Sequence, residues 1–237
     1  MAFVRKNQST LTVAEWTAFI TAVNNMHGTS APTPAYRDFV SVHVDAMSGV
    51  GMSWSIHSMQ GMPPGRNFLA WHRQLLVKME QMLGVAIPYW DWIATPSLPP
   101  QLSTPALLLS WSVTRNLTPS QMSIVPGALT NAVAQTTFGA FQSALEGGAH
   151  NAVHRAVGGM TAPFGDMATA HSPADPIFWL HHANIDRVWA QWQKTHNNAA
   201  GKPTNGTEIL QPNPSPIFQG KKVSQVLKIT TLGYRYA

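Results

Sequence analysis

Five of the ten histidines in this 237-residue chain stand at spacings that aim them at one interior. His150 and His154 form an i, i+4 pair, which puts two imidazoles on one face of a helix, the H-x-x-x-H arrangement that binds a single metal ion. His72 shares a stripe with Phe68, Leu75, Leu76 and Met79, and His182 shares one with Phe178, Ile185 and Trp189. His43 has Phe39 and Met47 one turn to either side. A lone inward histidine is usually a core residue with a hydrogen-bond partner. Five of them would each need a partner for every polar nitrogen, and a metal satisfies one nitrogen of each ring. His57, in a Gly/Met-rich segment, is available as a sixth.

The ligand type narrows the metal. The chain has no cysteine, so thiolate sites and disulfides are excluded. An all-imidazole set suits copper, zinc, nickel or iron and disfavours magnesium or calcium. Asn151 follows His150 where a zinc peptidase would carry glutamate, so H-E-x-x-H chemistry is absent.

Helices must position these residues. The pattern predicts a helix from Thr10 or Thr12 to about Met26, supported at its start by Glu15. A second covers 35–47, and the clearest covers 66–83, stopped by Gly84. Residues 93–130, rich in Pro, Ser and Thr, read as a long and mostly irregular excursion. Helices resume over about 136–145 and 149–157. Ser172-Pro173 reads as a cap followed by proline at the first position of a helix running to Lys194. The tail is β-like over Val223–Thr231. The fold class is mainly α: a four-helix bundle core, long irregular loops and a few short strands, in one domain spanning 1–237.

Composition limits the partners. Charged residues make up 11% of the chain, against about 25% in ordinary soluble domains. The net charge is +5, but the lysines and arginines are scattered and form no basic stripe, so nucleic acid is not expected as a partner. No run of about 18 apolar residues exists to span a membrane. The first residues lack a basic region followed by an apolar run, so no signal peptide is expected. The expectation is a cytoplasmic protein, or one exported with a partner protein. The pale surface also admits a homo-oligomer.

Four segments together carry a resemblance. Asp175-Pro-Ile-Phe-Trp-Leu-His-His182-Ala-Asn-Ile-Asp186-Arg-Val-Trp189 is similar to the second copper signature of tyrosinases, catechol oxidases and haemocyanins. Phe68-Leu69 with Trp71-His72-Arg73 resembles the end of their first copper signature, and Tyr36–His43 the helix that carries its first ligand. His150-Asn-Ala-Val-His154, followed by Gly158-Gly159, resembles the opening pair of the second site. Arg5 and Tyr234-Arg-Tyr236 resemble the ends of the family's catalytic core. The resemblance implies a bacterial-type tyrosinase with two copper ions and O2 as co-substrate, in which His43, His57 and His72 hold one ion and His150, His154 and His182 the other. It takes the second histidine of the His181-His182 pair as the ligand, as the helical stripe does, and leaves His181 to support the ligands from behind or to packing. Asp186 is expected to steady the ligands of the second site.

Two departures stand out. The stretch from His57 to His72, 72 − 57 = 15 residues, is longer than the usual bacterial pattern, with the extra piece around Met59–Gly65. The cross-link between a ligand histidine and a cysteine found in many plant and fungal relatives cannot form here. The resemblance also implies a core without the shielding domain of many relatives, and admits a separate copper-delivery protein.

The activity implied is ortho-hydroxylation of small monophenols and oxidation of o-diphenols to o-quinones. The near alternative is a catechol oxidase or o-aminophenol oxidase without the hydroxylation, and a more distant one is an O2 carrier like haemocyanin. Asn151 matches a position where hydroxylating members often carry Asn, and Glu146 is the candidate for their water-holding carboxylate; together they are expected to activate a water that takes the phenol proton. Arg155 is expected near the entrance, where it attracts carboxylated substrates. Met167 and Thr169, in a loop ahead of the last helix, are the candidate contacts for the substrate ring.

Overall fold

A computed structural model describes residues 2–48, 56–57, 67–196, 209–210 and 217–237. The extra piece around Met59–Gly65 lies outside the described residues. The chain opens with strand β1 (Phe3–Arg5) and eight α-helices follow among the described residues: α1 (Val13–His27), α2 (Tyr36–Ser48), α3 (Phe68–Leu83), α4 (Pro105–Ser110), α5 (Val125–Val133), α6 (Phe138–Leu145), α7 (Asn151–Gly158) and α8 (Ile177–Thr195). Strand β2 (Tyr234–Tyr236) closes the chain and pairs in parallel with β1, Phe3 opposite Tyr234. None of the described helices is long and apolar enough to cross a membrane.

Local chemistry explains the helix ends. Thr12 accepts the Glu15 N–H at 3.2 Å while Glu15 accepts the Thr12 N–H at 2.9 Å, a reciprocal capping box. Gly84 ends α3 at φ 69°, in the left-handed region that a side chain disfavours. α1 buries Trp16, Phe19, Val23 and Met26 along one stripe, as an amphipathic helix on a core does. α3 and α8 are different. They are buried on nearly every face, from Phe68 to Val77 and from Ile177 to Asp186, and pack against each other. They form the centre of the bundle, and with α2 and α7 they surround the site.

Three expectations are corrected. The excursion at 93–130 is more ordered than its composition suggests. It contains α4, the first part of α5 and 3-10 turns at Pro100–Leu102 and Pro119–Ile124, each with proline in its first positions. Proline pre-sets φ for a first turn and has no N–H to leave unsatisfied, so these prolines start helices instead of breaking them. Ser172 and Pro173 begin only a 3-10 turn, Ser172–Ala174. Asp175 is extended, its Oδ1 accepts the Ile177 N–H at 3.0 Å, and α8 starts there. The β-like stretch 223–231 forms two 3-10 turns, Val223–Val226 and Ile229–Leu232, instead of a strand. Val223 and Val226 are buried, and the carbonyls of Val226 and Leu227 accept from the Arg73 guanidinium at 3.1 and 2.8 Å. Those carbonyls serve a buried cation, so the β-branched residues fill core without pairing to a neighbour.

Candidate metal centre

Helices α2, α3, α7 and α8, with His57 and His150 from outside them, deliver two groups of imidazoles. His43 of α2, His57 and His72 of α3 form one; His150, His154 of α7, and His181 and His182 of α8 form the other. Within each group, one nitrogen per ring lies within 4.8 Å of the others. The groups abut: His72 stacks on His182 with centroids 4.2 Å apart and planes 6° apart, and His57 stacks on His150 at 5.3 Å. Phe68 and Phe178 seat both groups on an apolar floor, with Phe68 4.8 Å from His72 and 4.9 Å from His150, and Phe178 4.2 Å from His182 and 5.2 Å from His43.

The hydrogen bonds decide which nitrogen is left for a metal. His72 Nδ1 donates to the Phe68 carbonyl at 2.8 Å, one turn back on its own helix. His43 Nδ1 donates to the Ala170 carbonyl at 2.8 Å, and His154 Nδ1 to the Met167 carbonyl at 2.5 Å. His150 Nδ1 donates between the Glu146 carbonyl at 3.2 Å and Asn151 Oδ1 at 3.1 Å. In each of these rings Nε2 is buried and has no hydrogen-bond partner among the described residues, and the same is true of His182. A carbonyl holding Nδ1–H fixes the tautomer and turns the Nε2 lone pair inward, the arrangement in which a protein presents histidine to a metal. The residues therefore fit a metal with imidazole preference.

The electrostatics agree. Burial, reinforced by neighbouring imidazoles, pushes His43 down to about 3, and burial pushes His154 down to about 4. Burial and neighbouring rings hold His72, His150, His181 and His182 well below the ordinary imidazole range. All are neutral at neutral pH, with lone pairs available to a cation.

A cleft of about 760 Å³ opens over the groups, and the candidate catalytic and substrate-contacting residues border it: Glu146, Asn151, Arg155, Met167 and Thr169. Glu146 is buried, and its Oε1 stands 3.2 Å from His57 Nδ1. It belongs to a single π-helical turn, Glu146–His150, that joins α6 to α7. That turn carries an extra residue, as π-turns at functional sites commonly do, and so re-aims His150 relative to a continuous α-helix. Arg155 is exposed at the mouth, and Met167 is buried in the wall.

No local pattern along the chain foretells how this wall is held. The 3-10 turn Asp166–Ala168 supplies the carbonyl for His154, and the following residues supply the one for His43. One loop thus orients a ring from each group. The excursion clamps it: Asn116 Nδ2 donates to the carbonyls of Thr161 and Pro163 at 3.0 Å each, and Asp166 Oδ2 accepts the Thr114 N–H at 2.7 Å. Gly158 is the sequence trace of this contact, since a Cβ there would stand 2.1 Å from the Ala168 nitrogen. His181 is the other residue that the pattern undervalued. The stripe favours His182, yet the structure brings both members of the pair into the second group, and the adjacent histidines themselves were the available signal. The Asp186 carboxylate is hydrogen-bonded to groups other than the ligand rings. It accepts from Arg73 Nε at 2.5 Å, Arg5 Nη1 at 3.2 Å and the hydroxyls of Tyr234 and Tyr236 at 2.6 and 2.5 Å.

Known proteins share this sequence and fold. The common central domain of tyrosinase matches residues 33–116 and 104–195. The tyrosinase of Streptomyces lincolnensis is 32% identical over 256 aligned positions, covering 86% of this chain and 87% of that protein, and the Streptomyces antibioticus tyrosinase is 31% identical with 86% and 88% covered. A functional unit of octopus haemocyanin superposes with a TM-score of 0.73 at 27% identity over 99% of this chain and 68% of that one. Latent apple tyrosinase shares the fold, with a TM-score of 0.71 at 19% identity over all of this chain and 62% of that one. With the central domain matched across both histidine groups and the relatives aligned along most of their length, the chain belongs to the tyrosinase family of copper oxidoreductases and is a tyrosinase-type enzyme.

Proposed function

We propose that the chain holds two copper ions, one in each histidine group, and uses O2 to hydroxylate small monophenols at the ortho position and to oxidise o-diphenols to o-quinones. His43, His57 and His72 hold the first ion; His150, His154 and His182 hold the second. The observation that carries this reading is the pair of abutting imidazole groups, with the Nε2 atoms of His43, His72, His150, His154 and His182 buried and unpaired among the described residues beside a cleft bordered by Glu146 and Asn151. When bound, the copper pair supplies O2 activation and electron acceptance from the phenol.

The chain's own residues do the rest. The cleft admits a flat aromatic ring between Met167 and Thr169, and its 760 Å³ lies within the range of small-molecule sites. The Asn151 carbonyl oxygen is engaged by His150 Nδ1, which leaves its NH2 to hold a water at the cleft edge. Glu146, buried against His57, supplies the negative charge that draws a proton from that water, and the water takes the phenol proton in turn. Arg155 at the mouth attracts substrates that carry a carboxylate.

Copper reconstitution followed by a panel of monophenols, catechols and o-aminophenols tests the proposal. Two coppers per chain with turnover of both tyrosine and its diphenol support it. Diphenol oxidation without monophenol hydroxylation would reassign the chain as a catechol or o-aminophenol oxidase. The likeness to an octopus haemocyanin unit favours a second reading, O2 carriage. Reversible O2 binding with no oxidation of any catechol would establish that reading instead.

A further inference from the structure

The lip of the cleft has two unlike halves, and the proposed function uses only one of them. Arg155 of α7 stands exposed on the first. On the second, the loop 159–165 brings Met160 and Phe164 to the same cleft, 46% and 52% exposed. A single exposed apolar side chain is ordinary on a surface. Two on one short loop, both bordering one cleft, form a patch that a ligand can cover. Phe164 is also held out. Asn116 Nδ2 donates to the carbonyls of Thr161 and Pro163 at 3.0 Å each, and the Gly165 N–H donates to the Gly158 carbonyl at 2.8 Å. A Cβ on Gly165 would stand 2.7 Å from the Asn116 nitrogen, so residue 165 lies against the excursion with no room for a side chain. Phe164 thus sits between two fixed neighbours, and its backbone cannot swing inward to bury the ring. An apolar surface ordered before the ligand arrives loses little entropy on binding.

Charge decides what kind of ligand fits. Among the described residues, Glu146 is the one carboxylate that borders the cleft, and it is buried, with Oε1 3.2 Å from His57 Nδ1. It stands beside the imidazoles, at the reacting end of a bound phenol, and not at the lip. Residues 49–66, around His57, contain no Asp or Glu. A substrate carboxylate therefore has Arg155 to meet. A substrate ammonium has no opposite charge to meet at the lip among the described residues, and Arg155 repels it.

We infer that the cleft selects phenols that carry a carboxylate and a second apolar group in place of an ammonium, Arg155 taking the carboxylate and Phe164 with Met160 taking the apolar group. The inference rests on the reading that phenols react in this cleft. Phe164 is then a specificity residue that touches the part of the substrate remote from the metal.

The test is the kinetics of the copper-loaded chain with tyramine, tyrosine and N-benzoyltyrosine, each beside its catechol so that a loss of hydroxylation alone leaves the selectivity readable. The parent's kcat/KM is expected to rise in that order. Phe164→Ser is expected to raise KM for N-benzoyltyrosine about five- to tenfold while its kcat, and both constants for tyrosine, stay within about twofold, because a contact remote from the reacting atoms binds ground and transition state alike. Arg155→Gln is expected to raise KM for tyrosine and N-benzoyltyrosine and to spare tyramine. A parent that prefers tyrosine to N-benzoyltyrosine would overturn the inference, as would a Phe164→Ser variant that raises KM for both alike or for neither. N-benzoylphenylalanine has no hydroxyl and binds without reacting, so calorimetry with it reads the lip independently of turnover. Parental affinity for it in Phe164→Ser would also overturn the inference, whereas turnover of no phenol at all would strike the proposed function itself.

Discussion

At the residue scale, the site is a set of imidazoles whose protonation is settled by burial. Because folding holds His43 near 3 and His154 near 4, against an ordinary value of about 6.5, the unfolded chain binds more protons between those limits. Stability of the copper-free chain is therefore expected to be full above pH ~6.5 and to fall as the pH drops toward 4. Each such imidazole contributes a slope of about 1.4 kcal/mol per pH unit. Urea unfolding of the copper-free chain between pH 4 and 8 checks this; a flat profile would contradict it. Asn151 acts at the same scale. Asn151→Ala removes the amide that faces the cleft while leaving the Glu146 carbonyl to hold His150 Nδ1. Monophenol turnover is expected to fall about a hundredfold and diphenol turnover by much less. An equal loss of both would show that Asn151 only seats the ring.

At the scale of elements, the helices carry the ligands and a loop aims them. Asn116→Asp keeps the shape of the clamp but cannot donate to the carbonyls of Thr161 and Pro163. The wall formed by Met167 and Thr169 is then expected to loosen, raising KM for phenols several-fold with copper content retained. Steady-state kinetics beside metal analysis reads this, and an unchanged KM would refute it. What was legible in the sequence follows the same division. The stripes through His72 and His182, the Thr12–Glu15 cap and the stop at Gly84 are local patterns of period and capping, so they could be read along the chain. The Asn116 clamp joins residues 45 and 47 positions apart, and Asp166 reaches back 52 positions to Thr114; no local period encodes such contacts. The tail departs from its β-like pattern for a related reason. Its carbonyls answer to Arg73, about 150 residues away, and that demand overrides β-propensity.

At the scale of the whole molecule, a buried ionic knot joins the ends of the chain to its centre. Arg5 makes two bonds at 3.0 Å to Glu80 of α3 and one at 3.2 Å to Asp186 of α8, while Arg73 of α3 bonds Asp186 and lies 3.6 Å over the Trp189 ring. A protein with only 11% charged residues spends several of them here. Asp186→Asn leaves two buried guanidinium groups short of charge, and is expected to cost about 3–5 kcal/mol in urea unfolding; a loss below 1 kcal/mol would show that the tyrosines and Glu80 suffice. Burial raises the Asp186 carboxyl and the two guanidinium groups, Arg73 first, more than offset it, so it titrates below its ordinary value. Its contribution is present above the ordinary carboxylate range and disappears only as the pH falls through the lowered value. Acid should therefore weaken the histidine site before it opens the knot.

The parallel pair Phe3–Arg5 with Tyr234–Tyr236 brings together residues 231 positions apart. During synthesis, Arg5 must wait for Tyr234 and Tyr236, which emerge more than 200 residues later. Until they do, α3 and α8 can touch but their shared charges lack two hydroxyl donors. The helices that bear His72 and His182 thus reach their final rigidity only once the two distant strands have paired, which makes this closure one of the slow, non-local steps of folding.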